Sequence, residues 1–211
     1  MFPKLYAIID AASLSARGGT ESLIERVCDF ARELAAGGAT LIQYRAKDLS
    51  AREMLMHARE LRRIMPPEVK LIMNDRADLC LAAGFDGVHV GQDDLSPESV
   101  RAIIGPKRML GVSTHTLEQL KAAAQTSADY LAIGPVFGTV SKVNPDPVVG
   151  LEGVRAAREL VGPDRPLVAI GGIGAEQAAD VLRAGATSVA VINALLESPR
   201  QSAAHILGIL L

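Results

Sequence analysis

Eight short apolar runs, each followed by an amphipathic stretch, constrain what this chain can fold into. The runs are Leu5–Asp10, Thr40–Arg45, Lys70–Asp75, Gly87–Gly91, Met109–Thr114, Tyr130–Val136, Leu167–Gly172 and Ser188–Ala194. Each has the length of a buried strand and polar or glycine boundaries. Helical patterns follow at Glu21–Ala36, Ala51–Ile64, Arg76–Ala83, Pro97–Ile104, Leu117–Ala124, Leu151–Leu160, Ala175–Ala184 and Pro199–Leu210. In the first of these, Ile24, Val27, Cys28, Ala31, Leu34 and Ala35 make one apolar stripe at helical spacing, and Gly37-Gly38 supplies its stop. Gly84, Gly105, Gly162 and Gly185 end other helices in the same way. Eight strand–helix units in 211 residues predict an α/β protein built as a single-domain (β/α)₈ TIM barrel over residues 1–211. A doubly wound sheet is the alternative, but it ordinarily carries a G-x-G-x-x-G turn after its first strand. Here that strand ends Ile9-Asp10-Ala-Ala-Ser.

Composition supports a large aliphatic core: 49% of residues are apolar, 3% are aromatic and Trp is absent. The net charge of -2, without a basic block, argues against nucleic acid as a partner. Cys28 and Cys80 are far apart in apolar helical contexts, which suits buried free thiols and a reducing compartment. The N-terminus enters a strand at once, and no apolar run reaches membrane-spanning length. A cytoplasmic protein with no membrane partner is expected.

In a barrel, the residues at the C-terminal ends of the strands form the site. The ends of two neighbouring strands, the third and fourth, deliver the carboxylates Asp75 and Asp94. Carboxylates delivered from neighbouring strands can hold a hard cation such as Mg²⁺. Basic and hydroxyl groups fall at other ends: Arg45, Lys47, Ser113, Thr139, Ser141 and Lys142. A carboxylate pair with Lys and Arg on one face suits a pyrophosphate group. Alternation places Gln43, Arg45 and Lys47 on one side of the second strand, and Asn74 precedes Asp75. Each residue has a plainer reading. Gln43, Arg45 and Lys47 could be a solvated rim. Asp75, Asp94 or Ser113 could cap the helix that follows, although Ser96, ahead of Pro97 and Glu98, is the better cap for its helix. His57 and His205 fall on helices as packing or surface residues. His89 is expected buried and hydrogen-bonded, and His115 on the surface. The turn Gly171-Gly172-Ile173-Gly174 could bring backbone N–H groups to an anion, and Ile192-Asn193 follows the last strand. The segment from Phe137 to Gly150 is the one long loop, a length often tied to function.

Seven segments in order resemble the thiamine-phosphate synthase family, from Leu5 to about Leu195. They are Gln43-Tyr-Arg-Ala-Lys47, Asn74-Asp75-Arg76, Gly87-Val-His-Val-Gly-Gln-Asp-Asp94, Gly111-Val-Ser-Thr-His115, Gly134-Pro-Val-Phe-Gly-Thr139-Val-Ser-Lys142, Gly150-Leu-Glu152 and Ala169-Ile-Gly-Gly-Ile173. The resemblance implies a barrel enzyme that joins a hydroxymethylpyrimidine diphosphate to a thiazole phosphate and releases pyrophosphate. It implies that Gln43, Arg45, Lys47, Asn74, Ser113 and Lys142 hold the pyrimidine diphosphate, with Lys142, Ser113 and Arg45 acting in the chemistry. Asp75 and Asp94 would hold Mg²⁺. Thr139, Val140, Ser141, Gly171, Gly172, Ile192 and Asn193 would hold the thiazole phosphate. Lys142 is expected to close over the diphosphate. The partners are then small phosphorylated molecules, with homo-oligomer formation left open. Three positions depart from the family pattern: Ala46 in place of Glu, Gly138 in place of Pro, and Asn193 in place of Ser. Two other functions compete. A thiazole tautomerase of the same barrel family would use His115 as acid/base and need no metal. A non-catalytic ligand-binding protein of the thiamine pathway would turn nothing over.

Overall fold

β1 (Leu5–Asp10) pairs in parallel with strands on both of its sides, and this closes the sheet. A computed structural model of the chain describes residues 1–138 and 146–210. After β1 come α1 (Ala11–Ala16), α2 (Leu23–Ala36), β2 (Leu41–Arg45), α3 (Ala51–Ile64), β3 (Lys70–Asn74), α4 (Ala77–Ala83) and β4 (Gly87–Val90). Next are α5 (Pro97–Ile104), β5 (Met109–Thr114), α6 (Leu117–Ala123), β6 (Tyr130–Ile133), α7 (Gly150–Val161) and β7 (Leu167–Ile170). The order ends with α8 (Ala175–Arg183), β8 (Ser188–Val191), a 3₁₀ turn at Asn193–Leu195 and α9 (Pro199–Leu210). The barrel runs β1 to β8 in chain order, all neighbours parallel. The (β/α)₈ expectation is met.

The strands alternate between two cores. Leu5, Ala7 and Ile9 of β1 join Ile42, Tyr44, Leu71, Met73 and the helix faces in the larger one. Tyr6 and Ile8 join Leu41, Ile72, Tyr130, Ala132, Val168 and Ala190 in a smaller cluster inside the barrel. This two-sided burial is why the strands read as near-continuous apolar runs. Helix starts follow capping chemistry. Ser22 and Ser50 each accept from the N3 backbone while Glu25 and Glu53 reach back, and Ser96 caps α5 with Pro97 at N1. Cys28 and Cys80 are buried free thiols. Among the described residues, no helix is long and apolar enough to cross a membrane.

Two differences from the sequence reading bear on the site. Five of the apolar runs end one to three residues sooner as strands, at Asn74, Val90, Ile133, Ile170 and Val191. The residues beyond leave the ladder to line the barrel mouth. Asp75 has φ 61°, and Gly171 and Gly172 have φ 100° and 65°. Apolar content at Ile192 and Ala194 hides that exit in the last run. The second difference is α1, unpredicted because six residues, Ala-Ala-Ser-Leu-Ser-Ala, are too few to show a stripe.

Candidate active site

The mouth of the barrel holds a cavity of about 480 Å³, within the range of small-molecule sites. Its wall includes Gln43, Arg45 and Lys47 at the end of β2, Asn74 and Asp75 at the end of β3, His89 and Asp94 around β4, and Ser113 and His115 around β5. Gly138, Gly171, Gly172, Ile192 and Asn193 complete the opposite side. The sequence-derived positions are thus gathered in one place, apart from Thr139, Val140, Ser141 and Lys142. Those four, and the expected closure of Lys142 over a ligand, lie outside the described residues.

Asp75 is the one non-glycine residue with positive φ among those described. A left-handed backbone costs an ordinary residue about 1–2 kcal/mol, less for Asp and Asn. Its N–H donates to the His89 carbonyl at 2.8 Å, which ties the turn to β4. The side chain meets Lys47 Nζ at 3.4 Å and lies beside Asp94. Burial first, then the Asp94 carboxyl, raises the Asp75 pKa from 3.8 to about 6, with Lys47 opposing. Neither aspartate caps a helix. The N-cap of α4 is Arg76, without a side-chain bond, and Asp94 Oδ2 accepts from Gly91 N at 2.8 Å. The capping alternative for Ser113 fails as well, since Thr116 caps α6.

Arg45 is held by a residue the sequence reading passed over. Asp10, 5% exposed, pairs with the Arg45 guanidinium through Oδ2 and caps α1 through Oδ1, accepting from Ser13 N at 2.9 Å. The available signal was its own position at the end of β1, followed by Ser13 three residues on. Two tyrosines were also missed. Below the charged rim, Gln43 Nε2 donates to Tyr6 Oη at 2.7 Å, Tyr6 Oη meets Tyr130 Oη at 2.9 Å, and Tyr130 Oη meets His89 Nδ1 at 3.0 Å. His89 Nε2 reaches Ser113 Oγ at 2.7 Å. Burial drives the His89 pKa down to about 4, so its ring is neutral. His89 is therefore buried and hydrogen-bonded, as its alternation indicated. His115 is not a surface residue. It lines the cavity, with Nδ1 2.7 Å from the Gly134 carbonyl and 3.5 Å from Asp146 Oδ2.

Chemically, the arrangement is a ring-sized apolar chamber with a few fixed polar groups, under a rim of two carboxylates, an arginine and a lysine. The double-glycine turn after β7 packs tightly. A Cβ on Gly171 would lie 2.5 Å from Pro135, and one on Gly172 would lie 2.4 Å from the Gly138 carbonyl. Only glycine supplies both that approach and the positive φ.

Comparison with known proteins places the chain in a family. The family model for thiamine monophosphate synthase matches residues 5–195. The chain belongs to that family. It is 58% identical to the thiamine-phosphate synthase of Koribacter versatilis over 208 residues, covering 99% of this chain and 96% of the relative. It is 44% identical to the thiamine-phosphate synthase of Chloroflexus aurantiacus over 202 residues, 95% of this chain and 88% of that one. Among solved structures, the thiamine phosphate pyrophosphorylase from Pyrococcus furiosus superposes with a TM-score of 0.82 at 35% identity, covering 98% of this chain and 94% of that one. Phosphoribosyl anthranilate isomerase from Thermus thermophilus, at 16% identity and TM-score 0.63, shares the fold alone.

The three departures from the family pattern fall differently in space. Ala46 is 3% exposed and packs in the core outside the barrel, away from the cavity. Gly138 and Asn193 both line the cavity, and Asn193 is exposed where it opens the 3₁₀ turn.

Proposed function

We propose that the protein condenses a hydroxymethyl-aminopyrimidine diphosphate with a thiazole phosphate, giving thiamine phosphate and pyrophosphate. The observation that carries this reading is the Asp75–Asp94 pair with Lys47 and Arg45 around one mouth, above an uncharged chamber. In the reaction the methylene–oxygen bond of the pyrimidine breaks, and its electron pair leaves on pyrophosphate. The thiazole nitrogen lone pair then forms the new carbon–nitrogen bond. The leaving group gains charge, so cations placed at its oxygens act where charge develops. The nucleophile already carries its lone pair and needs positioning rather than a base.

The carboxylate pair fits Mg²⁺. Two neighbouring carboxyls, with the pKa of Asp75 raised first by burial and then by Asp94, form a donor set that a cation would relieve. Mg²⁺ is ordinarily bound by one or two carboxylates plus substrate phosphates. Among the described residues no group of three His, Cys, Asp or Glu side chains could hold a metal, which leaves further ligands to the diphosphate and water. When bound, the ion would supply Lewis-acid neutralisation of the diphosphate. Arg45, fixed by Asp10, and Lys47 would bind the diphosphate, and Ser113 would donate to it or to the ring. Gln43 and Asn74 would contact the pyrimidine. Backbone groups of Gly171, Gly172, Ile192 and Asn193 would hold the thiazole phosphate, together with Thr139, Val140 and Ser141. Lys142 is assigned to the leaving group by family resemblance.

The test is incubation of the purified protein with both substrates and Mg²⁺, reading product mass and released pyrophosphate. Thiamine phosphate and pyrophosphate in equal amounts are expected. A wild-type protein that forms neither would overturn the reading. Because His115 lies in the cavity, the tautomerase alternative has a specific candidate base. His115→Ala should retain most coupling activity in a synthase. A tautomerase would lose about 100-fold or more of its isomerisation rate.

A further inference from the structure

The hydrogen-bond chain beneath the charged rim has a direction that proton counting fixes. Gln43 Nε2 can only donate, so Tyr6 Oη accepts from it at 2.7 Å. Tyr6 is 1% exposed, and its hydroxyl proton goes to Tyr130 Oη, 2.9 Å away. Tyr130 is wholly buried, and its own proton is then free for His89 Nδ1 at 3.0 Å. A neutral imidazole with Nδ1 accepting carries its proton on Nε2. That N–H donates to Ser113 Oγ at 2.7 Å. Ser113 lines the cavity, so its remaining hydroxyl proton is left to point into it.

The rings are packed to keep this order. His89 and Tyr130 stack at 5.5 Å, and Tyr6 meets Tyr130 edge-on at 5.9 Å. The Tyr130 ring occupies space that any side chain on Gly111 would fill, since a Cβ there would lie 2.0 Å from Tyr130 Cζ.

We propose that Tyr6, Tyr130 and His89 are positioning residues that lock His89 as its Nε2–H tautomer and present Ser113 to the cavity as a hydrogen-bond donor. The proposal rests on the synthase reading for its catalytic consequence. A donor hydroxyl meets the diphosphate or ring acceptor. The reverse order would give Ser113's proton to His89 Nε2 and offer the ligand an oxygen lone pair, repelling an anion. The relay acts through Ser113, so breaking it should matter only while Ser113 has a hydroxyl.

The experiment has two arms, on the full chain. The first labels histidine with ¹⁵N and reads the tautomer of ligand-free His89 by NMR, assigned with His89→Gln. The Nε2–H tautomer is expected in the wild type, and Tyr130→Phe should weaken that preference. The second measures kcat for Tyr130→Phe in the wild-type and Ser113→Ala backgrounds. A loss of roughly 10-fold is expected in the first background and less than about 2-fold in the second. Tyr6→Phe removes only the upstream lock and should show the same signs at smaller size, which covers a Tyr130 variant that folds poorly. An Nδ1–H tautomer in the wild type, or equal losses in both backgrounds, would overturn the proposal. The tautomer arm needs no turnover. A wild type with the Nε2–H tautomer but no coupling activity would refute the synthase reading and leave the relay standing.

Discussion

Asp75 concentrates the physical argument at the scale of single residues. Its carboxyl is pushed from 3.8 to about 6 by burial and by Asp94. A folded-state pKa above the unfolded one means the native chain holds the proton more tightly. The stability tied to this group is therefore present below its unfolded pKa and is lost as pH rises through its folded pKa. Between about pH 4 and 6, the metal-free wild type should lose melting temperature relative to Asp75→Asn, measured side by side by calorimetry. Parallel curves would contradict the like-charge account. Asn is the right replacement because it tolerates φ 61°, whereas Asp75→Ala adds about 1 kcal/mol of backbone strain to whatever else it removes. Asp75 and Asp94 were legible in the sequence because two neighbouring apolar runs each deliver a carboxylate to the same end of the barrel. Tyr6 and Tyr130 were not. A tyrosine inside a strand reads as core, and their contact spans 124 positions. His89 was legible as buried through its alternation, but its partners, 41 and 24 positions away, were hidden by sequence separation as well.

Among the elements, the strand ends and their first turns decide what the site presents. The pairing of Asp10 with Arg45 joins the ends of β1 and β2, and the same carboxylate starts α1. Asp10→Ala removes a cap and strands a partly buried guanidinium, together about 2–4 kcal/mol. A urea midpoint measurement checks this, and Asp10→Asn, which keeps a cap acceptor, should cost less. An equal loss in both variants would show that the cap and the charge do not matter separately. β5 offers a second case. Gly111→Ala would force the ring of Tyr130, which starts β6, off its position against β5, with overpacking of roughly 1–3 kcal/mol or more. Its melting temperature should fall further than that of an alanine at exposed Gly138, where a Cβ meets nothing within 4 Å. The element pattern itself was readable from periodicity, and seven of the eight strands begin where the apolar runs do. Their ends were not, because the residues that leave the ladder at the mouth include apolar ones such as Ile192 and Ala194. Composition cannot separate a strand from a rim.

At the scale of the whole molecule, the barrel separates the work of folding from that of binding. The larger core, between sheet and helices, holds the aliphatic bulk. The smaller core inside the barrel is apolar at one end and passes upward through Gln43, Asn74, His89 and Ser113 into the charged mouth. The charged groups are thereby gathered at one end of the strands, and rim substitutions such as Asp94→Asn should leave the stability within about 1 kcal/mol of the wild type. The central proposal is that Asp75 and Asp94 would hold a cation that supplies neutralising charge to a departing diphosphate. A Mg²⁺ titration of the rate of thiamine phosphate formation tests it most directly, in the wild type and in the Asp75→Asn, Asp94→Asn double variant. The account predicts a saturable Mg²⁺ requirement in the wild type, abolished by EDTA, with the double variant reduced by about 100-fold or more at any Mg²⁺ concentration. Full coupling activity in EDTA, or an unimpaired double variant, would contradict it.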